Sequence, residues 1–398
     1  MTATQPSRLA VDDVSGARVL VRADLNVPLN GHVIADDARL RAALPTLRTL
    51  ASQRNRILVV AHLGRPAGAQ PRLSLRPVAQ ALQTLLDREV PLVPGAASWG
   101  HGKRCAVGLL ENIRFDPRET SPSAGERWAL AAELRACAGA DIVVSDAFAT
   151  FHRRHATIVE LVQLGPSAAG RLVEVELEQL ALLRSPVAPL VVIAGGTRLG
   201  EKLPLLDALA TTSATVLLGA QMAASLAGLA RGEGPDAAAA QRVLGRKTTV
   251  VPSDLLVVDQ RGRTRTVRFA DLRPDLRTID LGAKACRRFA DAIHAAGTVV
   301  WNGPPGLQHE PAGKRGAHAL ATACAQSPAL TIVGGGTTGM PLRRLGLTGR
   351  VTHVSTGGTI LFHLLLGHPL LGIDALATTS STAAAAPPQP ARAGSARG

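Results

Sequence analysis

Basic and polar side chains follow the first apolar stretches of this sequence. In the segment "RADLNVP", Asp24 and Asn26 come directly after one apolar run, and in "AHLGRP", His62 and Arg65 come after the next. More basic residues follow along the chain: Arg39, Arg114, His152, Arg153, Arg154 and His155. Guanidinium groups bind phosphate and carboxylate oxygens through paired hydrogen bonds. The set predicts a small ligand with more than one negative group, such as a phosphate plus a carboxylate. Asp24 and Asn26 would orient the hydroxyls of this ligand.

Glycine turns follow apolar stretches in the second half of the chain. The segments "IAGGTRLGEKL", "VGGGTTG" and "VSTGG" each run from a strand-like stretch through glycines toward a helix, and "WNGPPG" adds another turn. Amides at a helix N-terminus attract phosphate, and glycine lets the phosphate come close. The first turn also predicts Arg198 and Lys202 four residues apart on one helix face. None of the turns is a Walker A loop, since Glu201 stands where that motif has lysine.

The glycine triplet of "TIVGGGTTGMPL", residues 331–342, predicts a phosphate site without a metal ligand. Thr337 and Thr338 follow the glycines, and neither carries a charge. Magnesium sites in proteins usually include one or two carboxylates. The sequence therefore favours a nucleotide-type turn at which the protein supplies no carboxylate to the metal.

Apolar strand-like stretches alternate with helical ones along the chain. The predicted strands are 17–23, 56–63, 140–147, 189–196, 214–220, 298–304, 330–336 and 350–358. The predicted helices are 37–52, 74–87, 125–138, 172–185, 202–210, 284–296 and 316–326. Valine- and isoleucine-rich strands separated by amphipathic helices indicate parallel sheets covered on both faces, which bind ligands at the carboxyl ends of their strands. This pattern predicts an α/β protein in which a polyanion-binding lobe faces a nucleotide-type lobe, as in a kinase that closes like a jaw.

Composition limits the remaining classes. A chain of 398 residues can form two domains, and none of its apolar runs reaches the roughly 18 residues of a membrane span. The N-terminus lacks a signal-peptide pattern and the four cysteines have no paired spacing, so we expect a reduced, cytoplasmic protein. The net charge is +14, yet the chain has no tyrosine and its arginines are spread out. Nucleic-acid binding is therefore disfavoured relative to a small anionic ligand.

The motifs together resemble the phosphoglycerate kinase family. "RADLNVP", "AHLGRP", "LLENIRF", "DAFATFHRRHAT", "WNGPPG", "GGG" and "HVSTGG" occur in the family's order, over roughly residues 7–376. The resemblance implies two Rossmann-like three-layer lobes with parallel sheets, joined by a central helix and hinge. It implies 3-phosphoglycerate in the first lobe, Mg²⁺ with ATP or ADP in the second, and a monomer. The resemblance implies a first lobe at 1–171, an interlobe helix at 172–186 and a second lobe at 187–360. It also implies a segment at 361–378 that returns to the first lobe, and a disordered tail at 379–398.

The resemblance also implies a role for individual residues. The triose would be held by Asp24, Asn26, Arg39, His62, Arg65, Arg114 and Arg153. The groups nearest the transfer would be Arg39, Arg198, Lys202, Gly335 and Gly358. The nucleotide would contact Lys202, Asn302, Pro304, Gly306, Glu310, Gly334, Gly335, Gly336, Thr337 and Thr338.

Departures from the family pattern cluster in the second lobe. Arg198 replaces the lysine that bridges the phosphoryl group, and "GAQ" at 219–221 replaces three glycines of the adenosine pocket. His309 aligns with the ribose-binding glutamate, which leaves Glu310 one place along. Thr337 stands at the position of the magnesium aspartate, so we expect the metal to be carried mainly by the nucleotide phosphates. "DLGAK" (280–284) and the glycine replaced by Thr359 are smaller changes.

These departures leave three functional interpretations. The first is a divergent phosphoglycerate kinase, slowed or altered in nucleotide preference by the missing charge. The second is a related kinase that forms an acyl phosphate on another phosphorylated carboxylic acid. The third is a catalytically silent homologue that binds the triose or a partner protein. The complete set of triose-site residues favours the first.

Overall fold

The first lobe is built on one parallel sheet. The computed structural model describes residues 10–100 and 106–383. The strands of this lobe are β1 (Arg18–Ala23), β2 (Leu29–Asn30), β3 (Val33–Ile34), β4 (Arg56–Val60), β5 (Leu92–Val93), β6 (Val107–Leu110), β7 (Ile142–Asp146) and β8 (Ser167–Ala169). Its helices are α1 (Ala38–Ser52), α2 (Arg76–Leu86), α3 (Ala96–Gly100), α4 (Ala124–Ala138) and α5 (Glu160–Gln163). Six strands pair in the order β5-β6-β4-β1-β7-β8, all parallel, and β2 and β3 form a separate hairpin.

The second lobe repeats the design. Its strands are β9 (Leu190–Ala194), β10 (Thr215–Leu218), β11 (Thr249–Val250), β12 (Asp254–Val258), β13 (Thr264–Arg268), β14 (Arg277–Leu281), β15 (Thr298–Asn302), β16 (Leu330–Gly334) and β17 (His353–Ser355). Its helices are α7 (Leu203–Leu209), α8 (Ala220–Leu229), α9 (Pro235–Gly245), α10 (Ala283–His294), α11 (Arg315–Gln326), α12 (Gly336–Arg344) and α13 (Ile360–Leu365). The main sheet has the parallel order β11-β10-β9-β15-β16-β17. The predicted fold class, two α/β lobes with parallel sheets, is confirmed.

Local sequence signals explain where several helices begin and end. The hydroxyl of Ser123 accepts a hydrogen bond from the amide of Glu126 at the start of α4, and Gly139 ends that helix at a φ of 57°. Pro204 lies in the first turn of α7, where a missing amide hydrogen costs nothing. The helix α4 follows β6 in the chain and α7 follows β9, and the candidate site residues Arg114 and Lys202 lie between each strand and its helix.

The chain passes between the lobes twice. The helix α6 (Arg171–Leu180) continues into a 3₁₀ turn at Ala181–Arg184. The last described helix, α14 (Leu371–Ala383), packs against α5 and β8 of the first lobe, and buries Leu376 there. That helix includes residues 379–383 of the predicted tail, whereas 384–398 lie outside the described residues. Among the helices described, none is long and apolar enough to cross a membrane.

A small antiparallel sheet was not anticipated from the sequence. Strands β13, β12 and β14 pair in that order beside the second lobe's main sheet. The segment "DLLVVDQRGRTRTVRF" carries the signal for its hairpin, because two strand-like runs flank a polar turn that contains Gly262 at a φ of 76°.

Candidate functional site

A cavity of about 470 Å³ lies between the two lobes. Its lining is rich in cationic and imidazole side chains: Arg65, Pro66, Arg114, Thr120, His152, Arg153, His155, Glu201, Thr359 and His363. The first seven belong to the first lobe, where they follow β4, β6 and β7, and the last three belong to the second. Three predicted triose-site arginines therefore meet in one space, and the second lobe forms its opposite wall.

A buried arginine lies beneath this cavity. Arg22, on β1, is fully buried and donates from Nε to the hydroxyl of Thr157 at 2.7 Å. The carboxylate of Glu119, also fully buried, lies 3.9 Å from it and neutralises it. His62 Nδ1 is 3.3 Å from Arg22 NH2, and burial together with the neighbouring arginines lowers the pKa of His62 well below its usual value. His62 is thus a neutral hydrogen-bonding group near neutral pH.

Sequence reasoning missed Arg22 and Glu119. The available signal was a single charged residue inside the apolar run "ARVLVRA", which in a buried strand requires a charged partner. The partner could not be identified in advance, because Glu119 is separated from Arg22 by most of the first lobe's sequence.

Arg114 and Asn26 are held by the turn at Gly64. Arg114 NH1 donates to the carbonyl oxygen of Gly64 at 2.6 Å, and the Asn26 side-chain oxygen accepts from the Gly64 amide at 2.9 Å. Gly64 adopts a φ of 64°, which favours glycine. Arg114 Nε is buried and has no hydrogen-bond partner within the described structure. Burial and the nearby Arg153 lower the pKa of Arg114 to about 10, so it remains charged at neutral pH.

Glu201 spans the cavity from the second lobe. Its carboxylate lies 2.6 Å from Arg65 NH2 and 2.9 Å from Arg153 NH2. Two arginines predicted to hold an anionic ligand therefore form ion pairs with a protein carboxylate. An anionic ligand has to compete with Glu201 for the same guanidinium groups.

Arg39 joins the two halves of the cleft. From α1 it donates NH1 to the buried carboxylate of Asp24 and NH2 to the carbonyl oxygen of Thr356, the latter at 3.1 Å. A Cβ placed on Gly336 would lie 3.5 Å from Arg39 Nε, so the guanidinium lies against the start of α12. Burial lowers the pKa of Arg39 to about 10, and the nearby Glu176 opposes that shift.

The interlobe helix holds the loop that Arg39 contacts. Glu176 of α6 is almost fully buried and accepts hydrogen bonds from the Ser355 hydroxyl at 2.7 Å and from the Thr356 amide and hydroxyl at 2.6 Å each. His353 Nε2 lies 3.0 Å from the same carboxylate. The position of the Thr356 carbonyl, and with it that of Arg39, therefore depends on α6.

Glycines with positive φ end three neighbouring strands of the second lobe. Gly196 after β9, Gly303 after β15 and Gly335 after β16 have φ values of 87°, 93° and 95°. Gly335 precedes α12, whose first turn contains no acidic residue. A Cβ on Gly334 would come within 2.6 Å of the backbone carbonyl oxygen of Gly357, so this position is also restricted to glycine. The arrangement leaves the first amides of α12 open to an anion.

Lys202 is a buried cation without a carboxylate partner in its hydrogen bonds. Its Nζ donates to Gly195 O at 2.8 Å, to Asn302 Oδ1 at 2.7 Å and to Asn302 O at 3.3 Å. Burial and Arg198 lower its pKa to about 8. The side-chain nitrogen of Asn302 is buried and has no hydrogen-bond partner among the described residues, and a Cβ on Gly358 would lie 3.5 Å from it. A phosphate near these groups would supply both the missing negative charge and the missing acceptor.

Arg198 does not share a helix face with Lys202, contrary to the prediction. The helix α7 begins at Leu203, and Lys202 is its capping residue, whereas Arg198 lies in the preceding loop. The positive φ of Gly196 and the later start at Leu203 and Pro204 explain the difference. Arg198 is exposed and makes no ion pair with any residue of the described chain. It is therefore free to turn toward a phosphoryl group.

Pro304, Gly306 and Glu310, which were predicted to contact the nucleotide, each contact other residues of the second lobe. The Gly196 amide donates to the carbonyl oxygen of Pro304 at 2.7 Å, and a Cβ on Gly306 would come within 2.3 Å of the Asp280 carboxylate. Glu310 is occupied by an ion pair with Arg277. Gln221 lies in the "GAQ" segment that replaces the family's glycine triplet. Its side-chain amide donates a hydrogen bond to the carbonyl oxygen of Thr278, across the groove between α8 and β14.

The threonines after the glycine triplet differ in their surroundings. Thr338 is buried, and its hydroxyl accepts from the Gly303 amide at 2.9 Å, so it supports the loop. Thr337 is exposed at the start of α12. Over residues 10–100 and 106–383, no cluster of histidine, cysteine, aspartate or glutamate side chains has the arrangement of a metal site.

Comparison with known proteins gives one consistent result. The model of the family described as "Phosphoglycerate kinase" matches residues 9–368. The phosphoglycerate kinase of Thermomicrobium roseum is 39% identical over 390 residues, which cover 92% of this chain and 97% of that protein. The one from Salinispora tropica is 38% identical, with 94% of this chain and 100% of the relative covered.

Solved structures agree with the sequence comparison. The phosphoglycerate kinase of Pyrococcus horikoshii superposes with a TM-score of 0.78 at 26% identity, and covers 92% of this chain and 97% of its own. That of Coxiella burnetii gives a TM-score of 0.67 at 29% identity, over 94% and 100% of the two chains.

Proposed function

Because the chain belongs to the phosphoglycerate kinase family, we propose that its cleft transfers a phosphoryl group between ATP and the carboxylate of 3-phosphoglycerate. The cavity between the lobes is the acceptor site in this proposal, and the glycine turns after β9, β15 and β16 form the donor site. A cytoplasmic location and a monomeric state are further predictions from the family resemblance.

The position of Arg39 is the observation that carries the proposal. It contacts Asp24 on the acceptor side and lies against Gly336 on the donor side. A phosphoryl group in flight between the two substrates would pass this guanidinium. Charge on the three equatorial oxygens of that group is what a kinase has to stabilise.

The acceptor is held at both of its ends. Arg65, Arg114 and Arg153 line the cavity and suit the phosphate of 3-phosphoglycerate. Asp24 and Asn26 suit the hydroxyl, and neutral His62 can donate a hydrogen bond to the carboxylate end. The unpartnered Nε of Arg114 is a donor that the phosphate would satisfy.

The transfer itself needs positioning and charge neutralisation rather than covalent help from the protein. A carboxylate oxygen of 3-phosphoglycerate attacks the γ-phosphorus of ATP, and the bond between that phosphorus and the β,γ-bridging oxygen breaks. The products are 1,3-bisphosphoglycerate and ADP, and glycolysis runs the reverse. Arg198, Lys202 and the α12 N-terminus, including Gly335, are the donor-side groups that neutralise the phosphates, and Gly358 lies beside Asn302.

The residues present do not fit a magnesium ion ligated by a protein carboxylate. Thr337 occupies the exposed first turn of α12, and that turn contains no acidic side chain. We therefore propose that Mg²⁺ enters bound to the nucleotide phosphates, with water in the remaining positions. The cations already named in the cleft take a larger share of the charge neutralisation.

A coupled assay with Mg-ATP and 3-phosphoglycerate tests the proposal. Turnover within about a hundredfold of ordinary kinase rates, roughly 1–100 per second, would support it. Calorimetry separates the alternatives. Binding of 3-phosphoglycerate without binding of Mg-ADP would indicate a silent homologue, and binding of neither would contradict the assigned substrates. Turnover with a different phosphorylated carboxylic acid would indicate the related acyl-phosphate kinase.

A further inference from the structure

The second-lobe wall of the acceptor cavity contains a histidine whose role is not accounted for. His363, on α13, lines the cavity together with Glu201 and Thr359. Its ring stacks on that of His152 from the first lobe, with centroids 5.1 Å apart and planes inclined by 29°. The two imidazoles therefore meet across the cleft.

His363 also contacts a second histidine, His368. Its Nδ1 lies 3.3 Å from Nδ1 of His368, which is exposed beyond the end of α13. The ring of His368 is 5.4 Å from that of His363, centroid to centroid. The Nε2 atom of His363 has no hydrogen bond to any part of the described chain. The imidazole contacts two other histidines and keeps Nε2 available for a ligand.

The chemistry of the cavity identifies which part of a ligand this nitrogen suits. Arg65, Arg114 and Arg153 line the same space, and Glu201 occupies two of them. A phosphate that enters the cavity displaces Glu201 from those arginines, and the phosphate then faces the negative charge of the Glu201 carboxylate. On the second-lobe wall, His363 and Thr359 are the lining side chains that can donate to the phosphate.

We propose that His363 donates a hydrogen bond from Nε2 to the phosphate of the acceptor, so that the second lobe takes part in recognising the acceptor when the cleft is closed. This inference rests on the proposed function, since it assigns the phosphate of 3-phosphoglycerate to the cavity. In this arrangement His368 donates from Nδ1, and His363 accepts at its own Nδ1 and carries its proton on Nε2. His363 is then a specificity residue of the acceptor site.

The charge state of His363 is consistent with a neutral donor. Burial, His368 and Arg153 lower its pKa from the ordinary histidine value, so the ring is uncharged at pH 7 and above. The groups that face it are His152, Arg153 and Arg65 of the first lobe and His368 and Glu201 of the second. Its contribution to acceptor binding should therefore be constant between pH 7 and pH 8.

Calorimetric titration of His363→Ala and His363→Gln with 3-phosphoglycerate tests the inference. A hydrogen bond to a charged group suggests a loss of affinity of about tenfold in the alanine variant. The glutamine variant keeps an N–H donor and should recover part of the affinity that the alanine variant loses. Affinity for ADP, and for glycerate, which lacks the phosphate, should be unchanged. His294→Ala, at an exposed histidine of the same lobe, is the matched control.

The possible results separate this inference from the proposed function. Equal affinity of wild type and His363→Ala for 3-phosphoglycerate would overturn the inference alone. Equal weakening of 3-phosphoglycerate and ADP would also overturn it, because that pattern indicates a general effect on closure. A wild-type protein that does not bind 3-phosphoglycerate would overturn the acceptor assignment itself and this inference with it. Thermal unfolding checks that each variant is folded.

Discussion

Arg39 of the first lobe donates a hydrogen bond to the carbonyl oxygen of Thr356 in the second lobe, at 3.1 Å. The same guanidinium donates to Asp24 in its own lobe. Its position is therefore set by both lobes at once, and it reaches the start of α12 only when they are in contact. Assembly of the phosphoryl-transfer site is thereby linked to closure of the cleft.

Replacement of Arg39 by lysine should reduce turnover by about 10²–10³-fold. Lysine keeps the charge but cannot donate to Asp24 and Thr356 from one planar group while facing a phosphoryl oxygen. The coupled assay measures the loss in kcat. The matched control is Arg41→Lys, because Arg41 lies on the same helix in an exposed ion pair with Asp37. A loss confined to the KM for one substrate would contradict the assigned role.

Replacement of Glu176 by glutamine should lower the free energy of unfolding by about 2–3 kcal/mol. The carboxylate is buried and accepts from Ser355 and from both donors of Thr356, and an amide nitrogen cannot accept. Urea unfolding measures the change. Glu178→Gln on the exposed face of the same helix should stay within about 0.5 kcal/mol of wild type. Equal effects of the two substitutions would show that the buried contacts add nothing.

The fold was largely predictable from the sequence because hydrophobic patterning determines it. Predicted helices such as 37–52 and 125–138 correspond to α1 (Ala38–Ser52) and α4 (Ala124–Ala138). Most strands that precede site residues were also located, since continuous Val/Ile-rich runs between glycine turns are distinctive. The short strand β6, which precedes Arg114, was not predicted. The antiparallel sheet was missed because four of the five residues of β13 are exposed arginine or threonine, so this strand has no apolar run.

The site was predictable in composition but not in its pairings. Asp24 and Arg39 were both expected at the acceptor site, and the structure joins them. Contacts between the lobes, such as Glu201 with Arg65 and Arg153, depend on how two separately folded bodies meet. No local pattern encodes that geometry. The loop conformation of Arg198 was likewise decided by Gly196 and not by helix propensity.

Affinity for ADP should fall as the pH rises above 8, because of Lys202. Burial and Arg198 lower the pKa of its ammonium group to about 8, so the free protein loses this proton above that pH. Phosphate binding favours the charged form, and the affinity should weaken toward tenfold per pH unit above 8. Calorimetric titration with ADP between pH 7 and pH 9.5 measures this slope.

The variant Lys202→Arg should remove the slope, because arginine stays charged over this range. The exposed Lys284→Arg should retain it. A slope that persists in Lys202→Arg would assign the proton to another group.

Replacement of Thr337 by aspartate should increase affinity for ADP about tenfold when Mg²⁺ is present, which corresponds to about 1.4 kcal/mol. The new carboxylate would lie in the exposed first turn of α12, where it can ligate the metal carried by the phosphates. Without Mg²⁺ the same change should weaken ADP binding, because like charges then face each other.

Calorimetry with and without Mg²⁺ measures both parts of the Thr337 prediction. Thr211→Asp adds the same charge at an exposed position just after α7, and it should leave ADP affinity unchanged both with and without Mg²⁺. A gain that is independent of Mg²⁺ would rule out metal ligation as its cause.

Replacement of Glu201 by glutamine should tighten binding of 3-phosphoglycerate about fivefold and loosen the ligand-free cleft. Glu201 occupies Arg65 and Arg153 at 2.6 Å and 2.9 Å, so an incoming phosphate first has to displace it. Both ion pairs are partly exposed, and each should contribute no more than about 1 kcal/mol.

Calorimetry measures the affinity, and small-angle X-ray scattering of the ligand-free protein should show a larger radius of gyration. Glu133→Gln removes a comparable exposed pair with Arg118 within the first lobe and should change neither quantity. If 3-phosphoglycerate binds more weakly to the Glu201 variant, the carboxylate supports the acceptor site instead of competing for it.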